Sequence, residues 1–414
     1  MLGGGGAQGT IMIPELAQME QVEQITCADL NLERITPIAE KNSKILAKII
    51  DASDSLSLKN AAEDADIIVN LLSPSFNLKV MKIATETGCH YQDLAGIIDI
   101  VAMASRFGTE WRYIAECGMK PAGIGVEECI DLGLQFEKNN TVAMIHTGSA
   151  PGLVNVLSRD CADRMDSVSS IRIRNYSNIQ TRRFVLFWWS PEVAWNDMAA
   201  KPLLYENGKY STVPPFSGWE DYQFNHLKGT RSLSHHLHEE VATIPKLIGK
   251  GVRYVDFKYG GPHAEIASMA YKLGWLGKEP IQVKNQTVIP RDVLFALTPA
   301  PPTAAEIAQM VEEGVGTEEK ALTVDVKGIR NGKPLRCVAT VKAPGFAKAA
   351  ALLSHANPVS YVTGLSAAAF TKLIINGCIN QIGVVAPEEL GSGARSIFYN
   401  DIAPNGITTE FEER

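Results

Sequence analysis

Short apolar runs and helical repeats succeed one another along the first 150 residues. The runs at 23–28, 45–50, 66–72, 90–93 and 142–146 have the length of buried strands. Between them, 11–21, 32–44, 58–63 and 78–87 repeat apolar residues at helical spacing. Pro14 falls in the opening turn of the first helix, where proline is tolerated. A further helix starts at Leu153, after Gly148. This alternation predicts βαβ units around a mostly parallel sheet.

The rhythm changes near residue 165. Residues 171–175 alternate as a half-buried strand does, and Asn207-Gly208 sits between extended flanks in 203–213. Two alternating runs in 322–342 meet at Asn331-Gly332, again a hairpin signal. Pro299, Pro301 and Pro302 stiffen the approach to a short helix at 303–313. Helical spacing resumes at 366–376, with Gly377 as its stop, and the polar last 14 residues are expected to be loosely attached. The fold class is therefore α/β: a Rossmann-type, doubly wound parallel sheet over 1–150, then a second α/β domain over 151–357 with a mixed, largely antiparallel sheet.

Chemistry enters first at Gly4-x-Gly6-Ala7-Gln8-Gly9, a G-x-G-x-x-G loop leading into a helix. The first glycine permits a tight turn, the second lets backbone approach a pyrophosphate, and the third lets helix and strand pack closely. The helix then aims its free N–H groups at the phosphates. Asp29, at the end of the next strand, is placed to accept the adenosine ribose hydroxyls and to repel a 2′-phosphate, which favours NAD over NADP. Only Met1 and Leu2 precede the loop, where a central strand belongs. The sequence is accordingly expected to start too late or to be truncated, leaving the neighbouring strands unpaired.

Ligands of such sheets bind beyond the carboxyl ends of the strands. That rule selects Asp51 beside the adenine, Asn70 beside the nicotinamide ribose, Ser73 as a further cofactor contact, and Tyr91, Asp93 and Gly148. Tyr91 and Asp93 lie two apart, share one side of a strand, and are candidates for handling a substrate ammonium or its proton. A hydrogen-bonded structural pair is the competing reading.

Composition narrows the class. The chain is 45% hydrophobic and 21% charged with a net charge of −7, which argues against nucleic acid and anionic membrane as partners. No apolar run suggests a membrane span, and no signal peptide is visible. Seven widely spaced cysteines (Cys27, Cys89, Cys117, Cys129, Cys161, Cys337, Cys378) fit reduced, structural thiols in a cytoplasmic protein.

Gly148-Ser-Ala-Pro151-Gly152-x-x-Asn155 resembles the saccharopine dehydrogenase-like family, which includes saccharopine reductases, lysine 6-dehydrogenases and carboxynorspermidine dehydrogenases. The glycine loop with Asp29, Tyr91-Gln-Asp93, Tyr361-Val-Thr-Gly364 and Gly383-Val-Val-Ala-Pro387-Glu388 share the look, whereas 185–290 match loosely. The resemblance implies a nicotinamide-binding Rossmann domain, a second domain that binds substrate and forms a homodimer, and a segment 358–414 that returns to the first domain. It implies hydride transfer at a carbon–nitrogen bond of an amino acid, with Gly148 and Asn155 near the substrate. Saccharopine reductases commonly carry aspartate where this chain has Ala150, so an acid from that position is missing.

The middle region adds candidates. Ser234-His235-His236-Leu-His238-Glu-Glu240 lacks a metal-ligand signature, so no metal is expected, and His236 or His238 is a candidate general base with a near-neutral pKa. Arg183, among Arg172, Arg174 and Arg182, is suited to a substrate carboxylate. Phe187-Trp188-Trp189 and Trp195 read as core packing or as the wall of an apolar pocket. The leading expectation is an NAD-dependent dehydrogenase of an amino-acid C–N bond. A reductase condensing an amine with an oxoacid or aldehyde, and a non-enzymatic NAD(H) sensor, are the alternatives.

Overall fold

The computed structural model describes residues 1–96, 103, 114, 126–354 and 356–414. The strands of the N-terminal part are β1 (Ile25–Asp29), β2 (Ile45–Ile49), β3 (Ile67–Asn70), β4 (His90–Asp93) and β5 (Val142–Met144). Those of the middle are β6 (Ser167–Thr181), β7 (Leu203–Glu206), β8 (Lys209–Thr212), β9 (Glu220–Tyr222), β10 (Arg231–His235), β11 (Tyr254–Gly260), β12 (Ile281–Val283), β13 (Gln286–Val288), β14 (Val315–Arg330) and β15 (Lys333–Lys342). Two more follow, β16 (Gly383–Val385) and β17 (Thr408–Glu413).

The N-terminal sheet is parallel throughout. β2 pairs with β1, and β3, β4, β5 and β16 follow in that order. Leu2 stands between β1 and β3, bridging Ala28 and Asn70. Its N–H donates to Val69 O at 2.9 Å, its carbonyl accepts Leu71 N–H at 3.0 Å, and Ala28 N–H donates to Met1 O at 2.8 Å. The strands on either side of the expected gap are thus joined through residues 1–3. The helical spacing of 32–44 yields only the short helix Thr36–Ala39. Pro37 can sit only in its first turn, and Asn31 and Asn42 side chains accept backbone N–H groups two residues on, which competes with helical pairing.

The second sheet runs β17-β15-β14-β6-β11-β10-β9, with β7 also on β11 and β8 beyond it. Only the β6–β11 contact in it is parallel. Its two tight hairpins turn at Asn207-Gly208 and Asn331-Gly332, each with both φ values positive, as a two-residue turn between twisted strands requires. Arg174, 1% exposed on β6, is gripped by both carboxylate oxygens of Asp256 on β11 at 2.8 and 3.0 Å and by Glu220.

The C-terminal stretch serves both sheets. Helix Ser360–Ile375 crosses helix Gly9–Ala17 so closely that a Cβ on Gly364 would stand 2.7 Å from Ile11 Cβ. Gln92 fastens it to the sheet, donating to Ala367 O at 2.9 Å and accepting from Thr371 at 2.7 Å. β16 extends the first sheet, whereas β17 pairs with β15 in the second. The polar tail is therefore an ordered strand, held also by Glu413 with Arg164 and Arg330. Cys27, Cys89, Cys161 and Cys337 are buried free thiols and Cys378 is half-buried; Cys117 and the side chain of Cys129 lie outside the described residues.

Candidate active site

The glycine loop folds tightly over the end of the first sheet. Gly6 N–H donates to Gly3 O at 3.0 Å, and helix Gly9–Ala17 begins directly after Gln8. A Cβ on Gly9 would lie 2.3 Å from Gly4 O, and one on Gly4 would press on Cys27. Gly6 is exposed at the tip, Ala7 and Gln8 are half-buried, and Gln8 Oε1 is a buried oxygen without a hydrogen-bond partner. Asp29 Oδ2 accepts Gly5 N–H at 2.9 Å, which ties the second strand to the loop. These features fit a dinucleotide: bare backbone for the pyrophosphate, a helix N-terminus behind it, and a carboxylate at the ribose end. Asp51 is exposed and accepts Ser53 N–H at 2.8 Å, and the Ser53 side chain together with that N–H lowers its pKa; Ser73 is exposed at the start of the turn Pro74–Phe76.

Tyr91 and Asp93 share one side of β4, but that side is covered. Tyr91 is 0% and Asp93 1% exposed. Asn70 donates to Asn77 at 2.9 Å and to Tyr91 Oη at 3.3 Å; Asn77 reaches Asp93 Oδ2 at 3.4 Å; His146 N–H donates to Asp93 Oδ1 at 2.9 Å. In this closed network Tyr91, Asp93 and Asn70 brace the strand ends instead of presenting themselves to a ligand. Strand alternation placed the pair correctly, but helix Asn77–Thr87 packs over that side.

Gly148 and Asn155 bound the next turn. A Cβ on Gly152 (φ +128°) would lie 2.0 Å from Gly148 O, so the turn closes on bare backbone. Asn155 Oδ1 accepts Gly152 N–H and its Nδ2 donates to Glu388 Oε2, both at 2.9 Å. Asn155 thus positions Glu388 and spends its polar atoms on the protein. Arg183 is 40% exposed and paired with Glu306, whose carboxylate occupies the guanidinium expected to hold a substrate. Phe187, Trp188 and Trp195 are core residues, with Phe187 and Trp195 edge to face at 5.1 Å.

The acid–base chemistry gathers elsewhere. His238 Nδ1 stands 2.7 Å from Glu240 Oε2 and 3.8 Å from Glu239, and its ring stacks on Phe257 at 3.8 Å. Burial opposes its charge, but Glu240, Glu239 and Asp197 outweigh burial and raise its pKa to about 9. His236 lies beside it, 5.6 Å between ring centroids. Burial and the His238 charge push its pKa down to about 3, so His236 is a neutral ring at physiological pH and not the near-neutral base expected. Asp197, on helix Pro191–Ala199, is raised to about 8 by burial and by Glu239. Burial also raises Glu239 and Glu388, against the pull of His146 on both. His146 follows β5 and its Nε2 meets Gly96 O at 2.7 Å, so this cluster adjoins the carboxyl ends of β4 and β5. The ligand atoms of His238, Glu239 and Glu240 lie within 4.8 Å of one another, a spacing open to a cation, although His238 and Glu240 already satisfy each other.

Asp197 and His146 lie in no motif, and Glu239, Glu240 and Glu388 lie in segments that assign them no role. They share no local signal, and only the fold joins them.

Comparison with known proteins agrees with this layout. A model described as the saccharopine dehydrogenase NADP binding domain matches residues 1–115, and one described as the saccharopine dehydrogenase C-terminal domain matches 148–400. The carboxyaminopropylagmatine dehydrogenase of Synechocystis sp. is 21% identical over 397 residues, covering 94% of this chain and 92% of the relative. The apo saccharopine dehydrogenase (L-Glu forming) of Saccharomyces cerevisiae has a similar fold, with a TM-score of 0.65 at 14% identity over 100% of this chain and 98% of that one. Among the described residues, no helix is long and apolar enough to cross a membrane.

Proposed function

Because the chain belongs to the saccharopine dehydrogenase family of oxidoreductases, we propose that it oxidises a carbon–nitrogen bond of an amino acid with NAD as hydride acceptor. The observation that carries this reading is the half-buried cluster of His238, Glu239 and Asp197 around buried Glu240, beside the strand ends where the nicotinamide half of the cofactor is expected. Bound NAD supplies the acceptor for the hydride. The chain's own task is to bind an amine and take its proton. An ammonium must lose a proton before the adjacent C–H can leave as hydride, and a base matched to that step has a pKa near the working pH. Asp197, at about 8, meets that condition. Taking the proton turns the Asp197 carboxylate into a neutral carboxyl group, and the charged His238 beside it, held so by Glu240, favours release of that proton to water, which restores the carboxylate. Asp29 supports NAD as the nucleotide, since it meets Gly5 N–H and fills the ribose end with negative charge.

The test is NADH formation from a panel of amino acids that includes lysine and ornithine. No turnover with any amine would defeat the reading. The reverse reaction, reductive condensation of an amine with an oxoacid or aldehyde, draws support from His238, which is protonated at neutral pH and so ready to donate to a carbonyl or imine. NADH consumption requiring both partners identifies it.

We also infer a homodimer. Ile266, Met269, Leu273, Trp275, Val293 and Leu297 are all at least 40% exposed on one stretch, an apolar surface suited to a second copy. Light scattering after size exclusion decides it. The buried free thiols support a reducing, cytoplasmic setting.

A further inference from the structure

Cys161 and Cys337 stand 176 residues apart in the chain, yet their sulfurs meet at 3.2 Å. Cys161 lies in the last turn of helix Leu153–Asp163, and Cys337 lies on β15, against which that helix packs. Both are free thiols with 0% exposure. A disulfide holds its sulfurs about 2.0 Å apart, so the pair is about 1 Å short of one, a gap that small side-chain rotations close. The two thiols differ in readiness. Their shared hydrogen bond lowers the pKa of Cys337, where Arg164 also favours the thiolate against burial, and the same bond raises that of Cys161. Cys337 is thus the sulfur that attacks and Cys161 the one that resolves.

The cover over the pair is thin. β17 is the edge strand of the second sheet, and Glu413 on it is the direct partner of Cys337. Directly paired residues share one side of a sheet, so the Glu413 side chain stands beside the thiols. Its carboxylate meets Arg164 at 3.0 Å and Arg330 at 2.7 Å, and Arg164 lies 4.4 Å over the Phe411 ring. Arg164, Glu413 and Arg330 keep 38%, 31% and 42% of their side-chain surface exposed, and all three charges act on Cys337. Solvent is therefore one layer of side chains away. Exposed ion pairs at a sheet edge hold weakly, and such edges open locally at low cost. The helix on the other side of the pair serves the candidate site. Its Asn155 holds Glu388, and its Asp160 holds Arg395 of helix Ser392–Ile402.

We propose that Cys161 and Cys337 form a reversible redox staple, which hydrogen peroxide entering where β17 loosens closes into a disulfide between helix Leu153–Asp163 and the second sheet. The Cys337 thiolate attacks one peroxide oxygen, the O–O bond breaks, and the departing hydroxide takes up a proton to leave as water. Cys161 then attacks the sulfenic sulfur; the S–S bond forms, the S–O bond breaks, and the Cys161 proton leaves with that oxygen as a second water. Two electrons pass from the sulfurs to the peroxide. The staple is independent of the dehydrogenase reading, and its test needs no turnover. The full chain is reduced with dithiothreitol, freed of it, exposed to hydrogen peroxide, alkylated and mapped by mass spectrometry without reduction. The intact mass should fall by two hydrogens, with one linked peptide joining Cys161 to Cys337. Tm should rise by about 4 °C or more, because the bond closes a long loop, and dithiothreitol should reverse both changes. Cys161→Ala and Cys337→Ala should each abolish the link. Glu413→Ala, which unties β17 from Arg164 and Arg330, should speed closure about twofold to fivefold. The proposal is overturned if both thiols stay open to alkylation on unfolding after half-buried Cys378 has been oxidised, which would make their contact packing alone. A link to any other cysteine, or a link that leaves Tm unmoved, would overturn it too. Closure no faster in Glu413→Ala would overturn the entry route. If a cysteine variant fails to fold, the peptide map of the unaltered protein still decides.

Discussion

Asp29 gives the sharpest test of cofactor choice, and Asp29→Asn is the informative change. Asparagine keeps an oxygen for Gly5 N–H, now met at 2.9 Å, so the loop is preserved while the charge is removed. Asp29 is only half-buried, so its repulsion of a 2′-phosphate is bounded by the watery and the protein-surface limits. At about 4 Å these are about 1 and 4 kcal/mol per pair of unit charges, hence a preference for NAD between about fivefold and a thousandfold. The ribose bond also weakens when its acceptor becomes neutral, by about 1 kcal/mol, so KM for NAD should rise only several-fold. The assay is kcat/KM for NAD and NADP, measured with the same amine on wild type and Asp29→Asn. The NAD:NADP ratio should fall by at least about tenfold in the variant, mainly through better use of NADP. An unaltered protein that prefers NADP would refute the argument. So would a ratio indifferent to Asp29→Asn.

Three further outcomes follow from the geometry. His238 has its pKa raised from 6.5 to about 9, so its stabilising interaction is whole below pH 6.5 and is lost as pH climbs through about 9. Thermal melts should show Tm falling across that window, and His238→Gln should flatten the fall. Asp256→Asn leaves buried Arg174 with a weakened partner and should cost about 3–5 kcal/mol in urea unfolding, while the double change Arg174→Met, Asp256→Leu should cost less. Gly152→Ala forces a Cβ to within 2.0 Å of Gly148 O at a φ of +128°. It should lower Tm sharply and abolish turnover, and an active, unshifted variant would show that the turn is more pliant than described.

How far the sequence could be read depended on how local each signal was. Asn207-Gly208 and Asn331-Gly332 announced their hairpins because both residues tolerate positive φ. Gly4, Gly6 and Gly9 announced the cofactor loop for the same kind of reason, close backbone approach. Tyr91 and Asp93 left a catalytic and a structural reading open because strand position says which side a residue faces and not what lies over that side; Asn77 lies there. The histidines misled. His236 and His238 are two residues apart, yet one is driven to about 3 and the other to about 9, because only His238 meets Glu240 and Glu239. Asp197 and Glu388 were out of reach, since nothing near either residue in the chain reports the partners that the fold brings to it.

β16 is the outermost strand of the first sheet, yet residues 383–385 reach it only after the whole second domain has been made. While the chain is being synthesised, the Val142–Met144 edge and the part of helix Gly9–Ala17 that meets helix Ser360–Ile375 must wait for those later residues. The first sheet is therefore completed by residues that follow the second domain in the chain. Its glycine loop gains the support of Gly364 against Ile11 only when almost nine-tenths of the chain has left the ribosome. A chain stopped before residue 360 would carry the loop without helix Ser360–Ile375, the wall packed against Ile11.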